Sequence, residues 1–141
     1  MLSRKTKYAV KALLALAQRD DPEPMRISDL AVQEQIPQKF LESILLTLRN
    51  QGILQSRKGK GGGYLLGRDP KTIFLGQVVR MFDGPLAPVP CASQTAYVRC
   101  ADCKDEAVCG VRLAMKDVRD ATARILDHTS LASLVRRIER V

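Results

Sequence analysis

Apolar residues recur at intervals of three and four along most of this chain, which is the spacing of one face of an α-helix. In the first twenty residues Ala9, Leu13 and Leu16 form such a face. Ser3 stands where its side chain can cap the N-terminus of the helix that carries them. The pattern therefore predicts a first helix of about fifteen residues, followed by an acidic loop that contains prolines.

A second and a third helix are predicted over residues 28–50. Ser28 is a suitable cap for the second helix, which must be short because the residue before Pro37 is pushed out of helical geometry. Pro37 suits the first turn of the third helix, and Gly52 lies just past its predicted end at Asn50. Two short helices joined by a tight turn are typical of a helix-turn-helix, whose second helix enters the major groove of DNA.

The pattern changes to that of a hairpin directly after the third helix. Two short strands, residues 53–56 and 64–66, flank a tip that contains four glycines. Glycine adopts backbone angles that other residues avoid, so such a tip can turn tightly and approach another molecule closely. The tip also carries three basic side chains, Arg57, Lys58 and Lys60. We interpret it as the wing of a winged helix-turn-helix, with an ordinary basic surface hairpin as the alternative.

The predicted fold class is mainly α with a small β-hairpin wing. A fourth helix is predicted over residues 72–82, and the Gly- and Pro-containing residues 84–90 form a linker. We divide the chain into a winged helix-turn-helix domain (residues 1–83), a linker with a cysteine-rich loop (84–109), and a long dimerisation helix followed by a short C-terminal helix (together 110–141). The C-terminal helix is predicted over residues 131–139, with Thr129 or Ser130 as its cap.

The helix predicted after the cysteine-rich loop carries an apolar stripe. Its members recur at alternating steps of four and three: Val111, Met115, Val118, Thr122 and Ile125. This is a heptad-like seam, and a second copy of the same helix is the simplest partner for it. A two-fold dimer would also match a palindromic DNA site, whereas packing of the stripe onto its own domain is the alternative.

The charge distribution separates the two halves of the chain. The chain has 141 residues and a net charge of +8 at pH 7. Residues 1–80 hold 14 Lys/Arg against 7 Asp/Glu, a balance of +7, and residues 81–141 hold 9 against 8, a balance of +1. A basic N-terminal half favours a polyanionic partner, here double-stranded DNA. Nothing resembles a signal peptide or a membrane-spanning run, so we expect a cytoplasmic protein with reduced cysteines.

The candidate DNA-contacting residues come from the third helix and the wing. Polar side chains at the start of the third helix are placed to meet base edges, and Glu42 can accept a hydrogen bond from a cytosine amino group. The wing is placed to meet the phosphate backbone. The full set is Gln38, Lys39, Glu42 and Ser43 from the helix, and Arg57, Lys58, Lys60, Gly61 and Tyr64 from the wing. For each of these side chains a solvated surface position without a base contact is the alternative.

All four cysteines of the chain fall within residues 91–109, with the spacing C-x8-C-x2-C-x5-C: Cys91, Cys100, Cys103 and Cys109. Four thiolates so arranged suit an iron–sulfur cluster or zinc. The basic residues Arg99, Lys104 and Arg112 are expected to lower the thiol pKa values, which would also suit a reactive redox pair. Metal or cluster binding, thiol redox switching and surface cysteines without a role are therefore three open interpretations.

Three segments of the chain form a recognisable combination with the cysteine loop. They are Lys7-Tyr8-Ala9-Val10 in the first helix, Phe40-Leu41-Glu42 with Leu48-Arg49 and Gly52 in the third, and Gly61-Gly62-Gly63-Tyr64-Leu65-Leu66 in the wing. In this combination the chain resembles the Rrf-two (Rrf2) family of bacterial winged-helix regulators over nearly its whole length. The wing motif together with the cysteine loop is specific, whereas neither half alone would be.

The resemblance implies a cytosolic homodimer whose long helices cross at the interface and which binds pseudo-palindromic promoter DNA, mostly as a repressor. It also implies that three loop cysteines hold an iron–sulfur cluster whose state changes DNA affinity. We expect a 2Fe–2S rather than a 4Fe–4S cluster, with zinc as the alternative. Glu42 falls where some relatives carry a base-reading glutamate, and Arg57 and Lys58 fall on a wing that enters the minor groove.

The cysteine loop departs from the family pattern. The usual spacing is C-x5-C-x5-C, whereas eleven residues separate Cys91 from Cys103 here. In one branch a histidine three residues past the last cysteine is the fourth ligand, but Arg112 occupies that place. In another branch an acidic residue of the first helix is the ligand, but the matching stretch here, Lys5-Thr6-Lys7-Tyr8, contains no carboxylate. We therefore expect Cys100 to be the replacement ligand, which would make all four cysteines the ligands of the cofactor and its metal.

Two other functions stay open. One keeps DNA binding but makes Cys100 and Cys103, or Cys91 and Cys109, a reversible disulfide switch without a cluster. The other, from a different class, is an iron–sulfur carrier or electron-transfer protein, against which the charge of +7 on residues 1–80 argues. The sequence holds no catalytic constellation, so we predict that the protein is not an enzyme.

Overall fold

The computed structural model describes residues 2–141, which form six α-helices, one two-stranded hairpin and three short 3₁₀ turns. The helices are α1 (Arg4–Ala17), α2 (Ile27–Glu34), α3 (Gln38–Asn50), α4 (Leu75–Asp83), α5 (Gly110–Asp127) and α6 (Leu131–Glu139). The strands are β1 (Leu54–Arg57) and β2 (Gly63–Leu66), and the 3₁₀ turns cover Pro70–Thr72, Pro90–Ala92 and Glu106–Val108. The predicted fold class, mainly α with a small hairpin, is confirmed.

The first two helices begin in different ways. The Ser3 hydroxyl accepts a hydrogen bond from the Thr6 amide at 3.2 Å, so the predicted cap of α1 is confirmed. The prediction that Ser28 caps α2 is wrong, because Ile27 is already helical and Arg26 holds the cap position without a side-chain hydrogen bond. Gln35 ends α2 in a left-handed conformation (φ 55°), which turns the chain towards α3.

The core lies between α1, α2 and α3 and is closed by the last helix. Leu13, Leu30 and Leu41 are completely buried there, and Leu131 at the start of α6 belongs to the same cluster. Two backbone hydrogen bonds of 2.9 Å join residues 129–131 to residues 73–75. The Leu131 amide donates to the Ile73 carbonyl, and the Leu75 amide donates to the Thr129 carbonyl. The short last helix, which the sequence-based division groups with the dimerisation helix, is thus part of the winged-helix core.

The fourth helix is shorter at its start than the predicted residues 72–82. Residues Pro70–Thr72 form a 3₁₀ turn, and Phe74 is extended because it pairs with Ser130 in an isolated β-bridge. Leu75 is therefore the first residue of α4. Among residues 2–141, no helix has both the length and the apolar composition that are needed to cross a lipid bilayer.

Candidate nucleic-acid interface and cysteine loop

The start of α3 presents one polar face to solvent. Gln38, Lys39, Glu42 and Ser43 are all exposed, whereas Leu41 on the opposite side is completely buried. The Ser43 hydroxyl donates to the Phe40 carbonyl at 3.0 Å, which leaves the lone pairs of its oxygen free to accept. The four residues predicted to meet base edges therefore share the solvent side of the first two turns of the helix.

The wing is an antiparallel hairpin whose basic tip is exposed. Its register pairs Leu54 with Leu66 and Arg57 with Gly63, so the tip comprises residues 58–62. Arg57, Lys58, Lys60 and Gly61 are all exposed. The structure thus brings four of the five predicted wing residues to the surface.

Tyr64 does not share that exposure. Only 9% of its surface is accessible, and its side chain is part of the hydrophobic core. Its amide donates to the Met25 carbonyl and its carbonyl accepts from the Met25 amide, both at 2.8 Å. Tyr64 therefore anchors the wing to the helix-turn-helix, and its side chain is not available to DNA in this conformation, in contrast to its predicted role.

Met25 was not predicted to contribute to this surface. It precedes α2 and pairs with Tyr64 in an isolated β-bridge, which adds a third backbone segment beside the wing. At Gly63 a Cβ atom would collide with the Met25 carbonyl, so this close approach requires glycine. A pairing between residues so far apart in the chain leaves no local signal in the sequence.

The four cysteines line one cavity of about 660 Å³ beside the start of α5. Cys91 lies in the 3₁₀ turn Pro90–Ala92, and Cys109 is the residue that precedes α5. Cys91, Cys103 and Cys109 are half-buried, whereas Cys100 is exposed, and all four are free thiols. The Cys103 amide donates to the Cys100 carbonyl at 3.2 Å, which folds the C-x2-C segment into a turn.

Two of the basic residues beside the thiols contact backbone oxygens in the structure. Arg112 donates to the Cys91 carbonyl at 3.0 Å, and Arg99 donates to the Cys103 carbonyl at 3.3 Å, so both guanidinium groups bind backbone oxygens. The Cys100 thiol instead donates to the Asp102 carboxylate at 2.6 Å, and this hydrogen bond raises the pKa of Cys100. The predicted lowering is therefore wrong for Cys100, because a carboxylate stabilises the protonated thiol.

The cysteine set fits an iron–sulfur cluster by the chemistry of its donors. Four thiols around one partly apolar cavity provide the donors that such clusters take. Across residues 2–141, however, no three Cys, His, Asp or Glu side chains already lie close enough together to hold a metal ion. Binding by all four cysteines would therefore require the loop segments that carry them to move closer together.

Helix α5 connects the loop to the winged helix. In its first part, Arg112 and Arg119 donate to the carbonyls of Cys91 and Ala92. At its last residue, Asp127 accepts two hydrogen bonds from Arg80 of α4, at 2.6 and 2.9 Å. This ion pair raises the pKa of Arg80 and lowers that of Asp127. The backbone of α4 can pass so close to Asp127 because Gly76 has no side chain.

The outer face of α5 has no partner within the described part of the chain. None of its residues is buried, and Val111, Val118 and Ile125 of the predicted stripe are 66%, 45% and 63% exposed. Met115 and Thr122 of the same stripe are partly exposed. The 18-residue helix therefore exposes an apolar stripe to solvent in the single chain.

The chain is similar to known transcriptional regulators over nearly its whole length. The Rrf2 family, described as iron-dependent transcriptional regulators, matches residues 2–137. An rrf2-like HTH-type transcriptional regulator of Rhodobacter capsulatus is 41% identical over 138 residues, which cover 96% of this chain and 92% of that protein. The HTH-type transcriptional regulator IscR of Escherichia coli is 29% identical over 138 residues, which cover 98% of this chain and 82% of that protein.

The solved structure of CymR, the global cysteine regulator of Bacillus subtilis, has the same fold. It superposes with a TM-score of 0.80 over 97% of each chain, at 28% sequence identity. The matched proteins are transcriptional regulators, not enzymes.

Proposed function

The chain belongs to the Rrf2 family of transcriptional regulators, and on that premise we propose that it is a homodimeric repressor whose affinity for a pseudo-palindromic operator is set by an iron–sulfur cluster on its cysteine loop. One observation carries the proposal. The four cysteines of the chain line a single cavity, and that cavity adjoins the start of the helix whose apolar face has no partner within residues 2–141. A sensor and a dimer interface would thus lie on the same element.

Binding to DNA uses the start of α3 and the wing. Lys39 and Glu42 lie on the exposed face of a helix that is held from behind by the core, and Arg57, Lys58 and Lys60 are exposed beside it. The helix supplies hydrogen-bonding groups for base edges in the major groove, and the wing supplies positive charge for phosphates. The charge of +7 on residues 1–80 supports the same partner.

A second copy of the chain is the partner that suits α5. The steps of four and three between its exposed apolar residues match the packing of one helix against a symmetric copy. A two-fold dimer also places two α3 helices for two half-sites of a palindrome. Analytical ultracentrifugation should therefore detect a dimer, and Val118→Glu, which puts a charge into the stripe, should shift it towards the monomer.

The cluster would be held by Cys91, Cys100, Cys103 and Cys109. When bound, it would link these loop segments to one another, and loss of iron or oxidation of the cluster would break that link. The residues of the chain then transmit the state of the loop. Arg112 and Arg119 fasten the start of the loop to α5, and the guanidinium of Arg80 fastens the end of α5 to α4. A change in the loop would therefore shift α5 and with it the spacing of the two α3 helices.

The test is iron and acid-labile sulfide analysis of anaerobically purified protein, together with an ultraviolet–visible spectrum. We expect stoichiometric iron and sulfide, and a Cys100→Ser variant whose spectrum or cluster stability is altered. A spectrum unchanged in that variant would exclude Cys100 as a ligand. Absence of iron and sulfide from freshly prepared anaerobic protein would exclude the cluster altogether.

A disulfide switch without a cluster is the second candidate, because the turn at Cys100–Cys103 favours it. The hydrogen bond from the Cys103 amide to the Cys100 carbonyl brings the two Cα atoms within the range that a β-turn allows, which overlaps the range that a disulfide needs. Treatment with a disulfide oxidant and mass spectrometry would detect this bond. The switch would be supported if protein without a cluster forms this disulfide bond and binds DNA more weakly in the oxidised state than in the reduced state.

A further inference from the structure

The first helix carries its basic residues near its N-terminus, where positive charge lowers the stability of a helix. Helix α1 contains four basic residues, Arg4, Lys5, Lys7 and Lys11, all within its first eight positions, and it contains no acidic residue. The N-terminus of a helix has a partial positive charge, so cations there are unfavourable and acidic residues are normally preferred. Where a sequence breaks such a local rule, a functional constraint is the usual reason.

This end of α1 lies against the junction of the helix-turn-helix. The ring of Tyr8 meets the ring of Phe40 edge-on, with a centroid separation of 5.6 Å, and Phe40 is the third residue of α3. Lys11 donates to the carbonyl of Glu34, the last residue of α2, at 2.6 Å. The first two turns of α1 are thereby fixed beside the end of α2 and the start of α3.

Two of the four basic residues on α1 are free to bind another molecule. Arg4 and Lys7 are exposed, and neither side chain makes a hydrogen bond or an ion pair within residues 2–141. They precede Lys11 by seven and four positions, which places all three on one side of the helix. Lys5 differs, because its ammonium group lies 5.8 Å from the ring of Phe82 in α4.

We propose that Arg4 and Lys7 form an additional DNA-binding site that contacts the phosphate backbone beside the groove occupied by α3. Three observations converge on it: a reversed charge pattern, side chains without partners in the described part of the chain, and a helix end attached to the start of the recognition helix. Lys11 has a positioning role, because its contact with Glu34 holds α1 against the junction. The inference rests on the proposed function, since it requires that α3 faces DNA.

The test compares the salt dependence of DNA binding in full-length variants. The probe is a duplex recovered from a random-sequence library by repeated binding to the wild-type protein, and fluorescence anisotropy gives the affinity between about 50 and 200 mM salt. In Arg4→Gln and Lys7→Gln the slope of log affinity against log salt should fall by about 0.9 for each phosphate that the variant no longer neutralises. The affinity of each variant at about 0.1 M salt should fall at least fivefold.

Lys5→Gln is the matched control, because it removes the same charge from the same helix end but from another side. It should keep the wild-type slope, and Arg4→Lys should also keep it, because an ammonium group still binds phosphate. The thermal midpoints of Arg4→Gln and Lys7→Gln should equal or exceed that of the wild type, which separates weaker DNA binding from a defect in folding.

Wild-type slopes in both Arg4→Gln and Lys7→Gln would overturn the inference and leave the proposed function intact. An equal reduction in Lys5→Gln would overturn it too, since the effect would then belong to net charge. A wild-type protein that selects no duplex would overturn both the inference and the proposed function.

Discussion

Replacement of Leu131 by alanine tests whether the C-terminal helix belongs to the winged-helix core. The side chain of Leu131 is completely buried, in a cluster with residues of α1 and α3, although it follows the loop and α5 in sequence. If the first 83 residues folded as an independent domain, this substitution would affect only the C-terminal part. The structure instead predicts that it destabilises the whole molecule.

The size of the effect follows from the burial of the side chain. A completely buried leucine replaced by alanine loses its transfer free energy and leaves a cavity, which together cost about 3 kcal/mol. For a chain of this length that corresponds to a fall in the thermal midpoint of roughly 10 °C. Because a dimer makes the midpoint depend on concentration, wild type and variant must be compared at the same protein concentration.

Circular dichroism and urea denaturation provide the assay. The control is Ile138→Ala in the same helix, where the side chain is 45% exposed and the destabilisation should stay within about 0.5 kcal/mol. A single cooperative transition that is lower in Leu131→Ala, and nearly unchanged in Ile138→Ala, is the expected result. Equal stability of the two variants, or separate transitions for the two halves, would show that α6 is not part of this core.

Three further substitutions probe the wing and the link between α4 and α5. Gly63→Ala should lower the free energy of unfolding by more than about 1 kcal/mol and weaken DNA binding, since its Cβ meets the Met25 carbonyl; unchanged denaturation curves would refute the close approach. Tyr64→Phe should leave DNA affinity unchanged, because the side chain is anchored in the core; weaker binding in a gel shift would instead indicate a direct contact with DNA. Asp127→Asn should cost less than about 1 kcal/mol, because both partners of the ion pair are around 40% exposed. Arg80 lowers the pKa of Asp127, so the wild type should be more stable than Asp127→Asn above pH about 4, and this stability difference should disappear as the pH falls through the lowered pKa. A stability difference that does not change with pH would contradict the role of the charge.

The parts of the fold that depend on neighbouring residues were predictable from the sequence. Ser3 and Ser130 cap α1 and α6 because their hydroxyls reach amides three residues ahead. The predicted last helix, residues 131–139, has the bounds that the structure shows. The exposed apolar stripe of α5 was also predictable, since helical spacing alone determines which side chains share a face.

The parts that depend on distant residues were not predictable. The bridge between Phe74 and Ser130 decides where α4 begins, and the bridge between Met25 and Tyr64 decides that Tyr64 supports the wing instead of facing outwards. At the cysteine loop, the sequence showed basic residues near thiols but not that Arg99 would bind a carbonyl or that Asp102 would accept the hydrogen bond of the Cys100 thiol. Composition gives the charges in a segment, whereas only the folded backbone decides which atoms they meet.

The most direct test of whether the cysteine loop controls the binding of α3 and the wing to DNA is to compare DNA affinity in two states of that loop. One protein sample and one duplex are used for both measurements. Anaerobically prepared protein and the same sample after exposure to air are titrated with the selected duplex at a single salt concentration. We predict affinities that differ about 5- to 150-fold, which corresponds to a coupling of about 1–3 kcal/mol, and no difference in a variant whose four cysteines are serines. Equal affinities in the two states of the wild type would contradict control of DNA binding by the loop.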